Sequence, residues 1–250
     1  MDNRTLFTGK AADYAAARPS YAPALIDILY ARHGFSPSSR IADVGAGTGK
    51  FSELLVKRGS TVYAVEPNDD MRAYCLRNLN AYPNFYAVAG DAANTGLPAG
   101  SVDIVTTAQA FHWFDPVAFR VECVRLTGGG TVAVVYNRHG EGGIYAEISA
   151  IAARYRSDRE EHRRSARAAI DVRIEDFFDG RFVVASVCYP IVEDEETFLR
   201  HRLSSSGAPR EGEAGYQEFC ADMRDLFARH AKSGSVTLEN DCVAWVGTVF

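Results

Sequence analysis

The chain has 250 residues, enough for one α/β domain with decoration and short for two independent cores of ordinary size. Its 47% apolar and 24% charged residues sit near the averages of folded globular proteins, which excludes a disordered or fibrous chain. A formal net charge of -5 offers no basic footprint for a nucleic acid partner, so a small-molecule partner is expected instead. Cys75, Cys123, Cys188, Cys220 and Cys242 are widely spaced, with no pair at metal-site or redox-motif intervals. They are expected as buried reduced thiols, and no metal is expected. The opening MDNRTLFTGKAADYAAARPSY lacks the apolar core of a signal peptide, and no stretch approaches the roughly 18 apolar residues of a membrane span. A cytoplasmic monomer or homodimer with no membrane partner is expected.

In chain order, residues 23–32 read as an amphipathic helix, with Pro23 in its first turn and Leu25, Ile28 and Leu29 on one face. Five strand-length apolar runs follow, at residues 40–44, 61–65, 85–89, 102–107 and 131–136, rich in β-branched or aromatic residues. Helical stretches separate them: 50–58 closed by Gly59, 69–82 closed by Pro83, and 116–126 opened by Asp115 as a cap. Strands alternating with helices predict right-handed crossovers and a parallel sheet covered on both faces, a doubly wound α/β fold. Beyond Gly140 the pattern changes. The run RYRSDREEHRRSAR, residues 154–167, reads as a helix with a solvated charged face. Residues 182–192 and 236–249 read as two further strands, with helices at 195–203 and 216–230 between them. A single domain results, its core at about 36–137 with 182–192 and 236–250, and a helical cap from 1–35, 138–180 and 195–235.

The chemistry starts at Asp43-Val44-Gly45-Ala46-Gly47-Thr48-Gly49, a glycine loop between the first strand and the following helix. A doubly wound sheet receives ligands there, and glycines bring bare backbone against them. Dinucleotide-binding loops read G-x-G-x-x-G, with a third glycine where this chain has Lys50. Asp43 before the loop would repel a pyrophosphate but suits a cationic amino-acid ligand such as S-adenosylmethionine, which carries an ammonium and a sulfonium. Glu66, ending the second strand, can accept hydrogen bonds from both hydroxyls of a ribose. After the third strand, Gly90-Asp91-Ala92 offers a carboxylate to an adenine amino group and a backbone edge to the ring. Each acid alone is equally a helix cap or turn former; three at successive strand ends point to an adenosine ligand.

These residues resemble the class I S-adenosylmethionine-dependent methyltransferases of the methyltransferase-11 type, and within them the trans-aconitate methyltransferase group. The resemblance rests on ADVGAGTGKFSELLVKRG, VYAVEPNDDM, GDAANTGLPAGSVDIVTTAQAFHWFD and FTGKAADYAAARPSY, covers residues 7–137, and is looser beyond. It implies a Rossmann-like seven-stranded sheet whose last strand runs antiparallel. It also implies that Asp43, Gly45, Ala46, Gly47, Thr48 and Gly49 surround the methionine moiety, Glu66 the ribose, and Gly90, Asp91 and Ala92 the adenine. Gln109 and Ala110 would lie near the sulfonium, Pro67 and Met71 around the adenosine, and Tyr14 and Arg18 would close over the cofactor. The acceptor is expected to be a small molecule, with O- or carboxylate methylation favoured and N- or C-methylation open, leaving S-adenosylhomocysteine as product. A member that binds the cofactor for a non-methylating role, and more remotely a nicotinamide-dependent oxidoreductase, remain as alternatives.

Methyl transfer is an in-line displacement from an activated donor, so a base is needed only for an acceptor that arrives protonated. His112, in the segment after the fourth strand, is the candidate base, with an alternative role in holding the loop. Phe111 and Trp113 are expected as apolar walls, and Tyr136 as a residue facing the acceptor.

Overall fold

The computed structural model describes Ala15 and residues 18–155, 170–205 and 207–250. Tyr14 and most of the charged run at 154–167 lie outside the described residues. Helix α1 (Pro23–Arg32) leads into β1 (Arg40–Val44), α2 (Lys50–Val56), β2 (Thr61–Val65), α3 (Asp69–Leu79), β3 (Phe85–Val88) and β4 (Ile104–Ala108). A 3₁₀ turn (Phe111–Trp113), α4 (Pro116–Thr127) and β5 (Thr131–Arg138) complete the first half. The second half runs α5 (Ile144–Arg154), α6 (Ile170–Phe178), β6 (Phe182–Cys188), β7 (Ile191–Glu193), α7 (Glu195–Leu203), α8 (Tyr216–His230), β8 (Val236–Leu238) and β9 (Asp241–Thr248).

Seven strands form one sheet in the order β3-β2-β1-β4-β5-β9-β6. β1 to β5 pair in parallel, and β9, the last strand, inserts antiparallel between β5 and β6. The central strands are buried on both sides, and their side chains alternate between two cores. Ala133 and Val135 of β5, with Ala244 and Val246 of β9, pack under α1, α2 and α3. Val132 and Val134, with Val243 and Trp245, pack against α4 and α6. Helices therefore cover both faces of the sheet, as the alternating pattern requires. A third core gathers Phe198, Phe219, Met223 and Leu226 with Val236 and Leu238, and belongs to a cap of α5, α7, α8 and the β7-β8 pair.

Several expectations change in detail. α1 buries Leu25, Ile26 and Leu29, so Ile26 joins the inner face, and Ile28 packs partly buried at its edge. The expected strands at 182–192 and 236–249 each split in two. Pro190 has no N–H for the ladder, and the Tyr189 N–H and carbonyl pair instead with the Asn240 carbonyl (2.7 Å) and side chain (3.2 Å). Beyond this break β7 and β8 leave the main sheet for the cap. α5 and α6 had no counterpart in the sequence reading. Cys188 is exposed on edge strand β6, correcting its assignment as a buried thiol, while the other four cysteines are buried. No helix among the described residues is long and apolar enough to cross a membrane.

Candidate active site

The strand order fixes where a ligand can sit. The chain winds outward from β1 to β3, then β4 returns to the opposite flank of β1, and the crevice beyond this reversal is the ligand site of an open α/β sheet. A cavity of about 810 Å³ opens there, within the range of small-molecule sites. Gly45, Ala46, Gly47 and Thr48 form one wall, Glu66, Pro67, Asn68 and Met71 continue it, and Asp91 with Ala92 extends it past β3. Gln109, Ala110, His112 and Trp113 face it from the end of β4, and Arg18 closes one side.

The glycine loop is pinned to its neighbour: the Gly45 and Ala46 N–H groups both donate to the Val65 carbonyl, at 2.9 and 3.1 Å. Gly45 (φ 73°) is where the loops after β1 and β4 touch, and a Cβ there would lie 2.6 Å from the Ala110 Cβ. Only glycine fits both the left-handed backbone and this approach. The Glu66 carboxylate bridges the two walls, accepting from Gly47 N–H and from Asn68 N–H, each at 2.9 Å. Burial pushes its pKa up against these two hydrogen bonds. Each oxygen keeps a lone pair for a ligand hydroxyl.

Asp43 is fully buried beneath the loop. Its oxygens accept the hydroxyls of Ser52 (2.5 Å) and Thr106 (3.0 Å), joining α2 and β4 to β1. Burial pushes its pKa up to about 6, opposed by these hydroxyls and reinforced by Glu66. Asp43 and Glu66 both line the cavity and place negative potential where a cation would rest. Asp91 accepts the N–H groups of Ala93 (3.0 Å) and Asn94 (2.9 Å) through Oδ1, forming a turn that closes the β3 end. Gln109 holds φ 57°, a left-handed backbone uncommon for a non-glycine residue, at the tip of β4. Its side chain donates to the Asn137 carbonyl at 3.1 Å, and Asn137 donates to the Ser20 carbonyl at 3.0 Å.

Four expected contacts are corrected. Gly49 does not line the cavity: it is the left-handed N-cap of α2, and a Cβ would strike the Cys75 sulfur at 2.5 Å. Gly90 likewise stays outside, its missing Cβ leaving room for the Thr95 carbonyl, which a Cβ would meet at 2.3 Å. Phe111 is a core residue with no exposure, packed edge-on to Phe177 (5.0 Å) and tilted against Phe119 (6.1 Å). The 3₁₀ turn sends its ring into the sheet while His112 and Trp113 face the cavity. Tyr136 is 3% exposed and lies behind the wall, its hydroxyl accepting the His112 N–H (3.1 Å) and meeting His112 Nδ1 at 2.9 Å. It therefore touches His112 where it was expected to face the acceptor.

Phe111→Ala should cost about 3–5 kcal/mol of stability, read by urea or thermal unfolding. An unchanged midpoint would return the ring to the cavity wall.

Sequence reasoning did not single out the far half of the cavity. Tyr145, Ile148 and Ala152 of α5, His201 and Arg202 of α7, and Phe219 and Met223 of α8 line it. His139 stacks on Tyr145 with centroids 4.0 Å apart. Lys50, at the position of the dinucleotide glycine, donates from Nζ to the Arg18 carbonyl at 2.6 Å, tying the N-terminal segment to α2. Among the described residues no group of three or more His, Cys, Asp or Glu side chains is placed to hold a metal.

Residues 42–135 match the family model described as "Methyltransferase domain". An uncharacterized methyltransferase of Mycobacterium tuberculosis is 40% identical over 129 residues, 51% of this chain and 50% of the relative. A methyltransferase-like protein of Schizosaccharomyces pombe is 33% identical over 155 residues, covering 61% and 59%. The chain thus spans about half to three-fifths of the length of these curated relatives. Among solved structures, a type II methyltransferase of Anaeromyxobacter dehalogenans shares the fold at TM-score 0.63 and 22% identity, over 93% of this chain and 97% of the other. An N-methyltransferase of Haemonchus contortus, solved with phosphomonomethylethanolamine and S-adenosylhomocysteine, shares it at TM-score 0.56 and 15% identity, over 100% and 60%. Residues 42–135 are thus similar to a methyltransferase domain, and the seven-stranded sheet with its antiparallel last strand is the fold these solved structures share.

Proposed function

We propose that the protein transfers a methyl group from S-adenosylmethionine to a small-molecule acceptor by in-line displacement. The observation that carries this reading is one continuous cavity joining the glycine loop, Glu66 and Asp91 at successive strand ends to a second half built by the cap. The first half fits the donor: bare backbone at Gly45 and Gly47, buried Asp43 and Glu66 for its positive charge, and a carboxylate for the ribose. When bound, the donor supplies an activated methyl group. The chain's own residues hold donor and acceptor in line and exclude water.

Arg18 is suited to the donor's carboxylate, and Pro67, Met71 and Ala92 to the adenosine. Gln109 and Ala110, on the strained β4 tip, face the reacting centre with His112 and Trp113. The Tyr136 hydroxyl accepts the His112 backbone N–H and meets Nδ1 at 2.9 Å, which fixes the ring where it faces the cavity. The ring so fixed orients the acceptor.

The test is a screen for methyl transfer from labelled donor into pooled small metabolites. Label is expected in one or a few small molecules, and His112→Ala should lower its rate while leaving donor affinity within about twofold. Label that appears only in protein or nucleic acid added to the same reactions contradicts a small-molecule acceptor.

A further inference from the structure

The far half of the cavity contains a charged group that packing alone does not call for. Glu193 ends β7 at 2% exposure and is reached by two consecutive residues of α7. His201 brings Nδ1 to 2.6 Å from Oε1, and Arg202 brings a terminal guanidinium nitrogen to 3.0 Å from Oε2. The same guanidinium nitrogen lies 2.7 Å from Nδ1. A lone pair on Nδ1 would face a carboxylate oxygen across 2.6 Å, two electron-rich atoms in contact. The contact with a carboxylate oxygen at 2.6 Å requires Nδ1 to carry the proton and donate to Oε1, while Arg202 donates to Oε2. The 2.7 Å approach of Nδ1 to the guanidinium is then a close contact between two donors that serve the two oxygens of one carboxylate, not a hydrogen bond. In the neutral ring this leaves the lone pair on Nε2, and His201 lines the cavity.

We propose that Glu193 and His201 form a carboxylate–imidazole pair that takes the acceptor's proton, and that the acceptor is therefore a hydroxyl compound that arrives protonated. This rests on the methyl-transfer reading. As the acceptor oxygen bonds to the methyl carbon, the C–S electron pair leaves on sulfur, the O–H bond breaks, and the proton passes to His201 Nε2. The resulting imidazolium is paired with Glu193 until it releases the proton to water. A weak base suffices, because an oxygen gaining a third bond becomes strongly acidic as the methyl arrives.

The surroundings keep the ring neutral beforehand. Burial pushes the His201 pKa down to about 4, with Arg202 and Arg18 acting in the same direction and Glu193 opposing. Tyr145, from α5, faces Arg202 and has its own pKa pushed up to about 12 by burial. Glu193 is a positioning residue, since it touches His201 and not the acceptor. Arg202, stacked 4.8 Å from the Phe198 ring, holds the carboxylate in register.

The test uses the full chain with ¹⁵N-labelled histidine and S-adenosylhomocysteine. Long-range ¹H–¹⁵N spectra, with the His201 ring assigned by its loss in His201→Gln, should show a protonated Nδ1 and bare Nε2 from pH 8 to pH 5. Glu193→Gln should turn that ring into a mixture of tautomers, which a merely structural contact would not require. In the extract the wild type labels, His201→Gln should slow methyl transfer about 100-fold or more, with product affinity within about twofold. An Nε2–H tautomer, titration near pH 6.5, or a His201→Gln rate within a few-fold of wild type overturns the proposal. Failure of S-adenosylhomocysteine to bind overturns the methyl-transfer reading instead, and the tautomer spectra of the free protein still decide the pair.

Discussion

Glu66→Ala is expected to weaken S-adenosylhomocysteine binding by about 1.5–3 kcal/mol, roughly 10- to 150-fold, measured by titration calorimetry. Two losses combine. The ligand loses its charged hydrogen-bond acceptor, and the N–H groups of Gly47 and Asn68 lose theirs, so the glycine loop and the start of α3 are no longer held together. Glu66→Gln separates the two, because its carbonyl oxygen still serves one N–H while its amide confronts the other donor. An intermediate affinity is expected. Unchanged affinity in Glu66→Ala would place the ribose elsewhere.

Gly45→Val should be more severe, with affinity falling at least about 100-fold, equivalent to about 2.7 kcal/mol. A β-branched residue at φ 73° is strained by about 1–2 kcal/mol, and its Cβ meets Ala110 at 2.6 Å and Phe114 at 3.1 Å. Relief requires the loops after β1 and β4 to part, and that opens the crevice in which the ligand would lie. Gly128→Ala supplies the control. It has a similar φ of 69° at the C-terminus of α4, with nothing within 4 Å of its absent Cβ. It should lose about 1–2 kcal/mol of stability and no affinity. Equal effects on affinity would show that Gly45 matters only through general stability.

Much of this was legible in the chain. α1, α7 and α8 fall at the expected bounds because Pro23, Asp194 and the cap-side apolar spacing mark them locally. The glycine loop was legible because positive φ selects glycine whatever lies around it. Contacts set by distant parts of the chain were not. Phe111 and Trp113 look alike as aromatic residues after a strand, and only the 3₁₀ turn decides which enters the core. Asp43 reads as an acid beside the ligand and does line the cavity, but the partners that hold it, Ser52 and Thr106, arrive from α2 and β4 and are not marked locally. Glu193 and His201 are eight residues apart across a strand-to-helix turn, and nothing local marks the pair. Pro190, by contrast, was a readable signal inside an expected strand, and the break between β6 and β7 follows from it.

The most direct test of the central claim is thermal unfolding with S-adenosylhomocysteine at a hundred times its dissociation constant. Stabilisation of about 2.7 kcal/mol is expected, a rise in Tm of roughly 5–10 °C for a chain of this size. No shift with either S-adenosylmethionine or S-adenosylhomocysteine, together with a shift of that size with NADH, would contradict it.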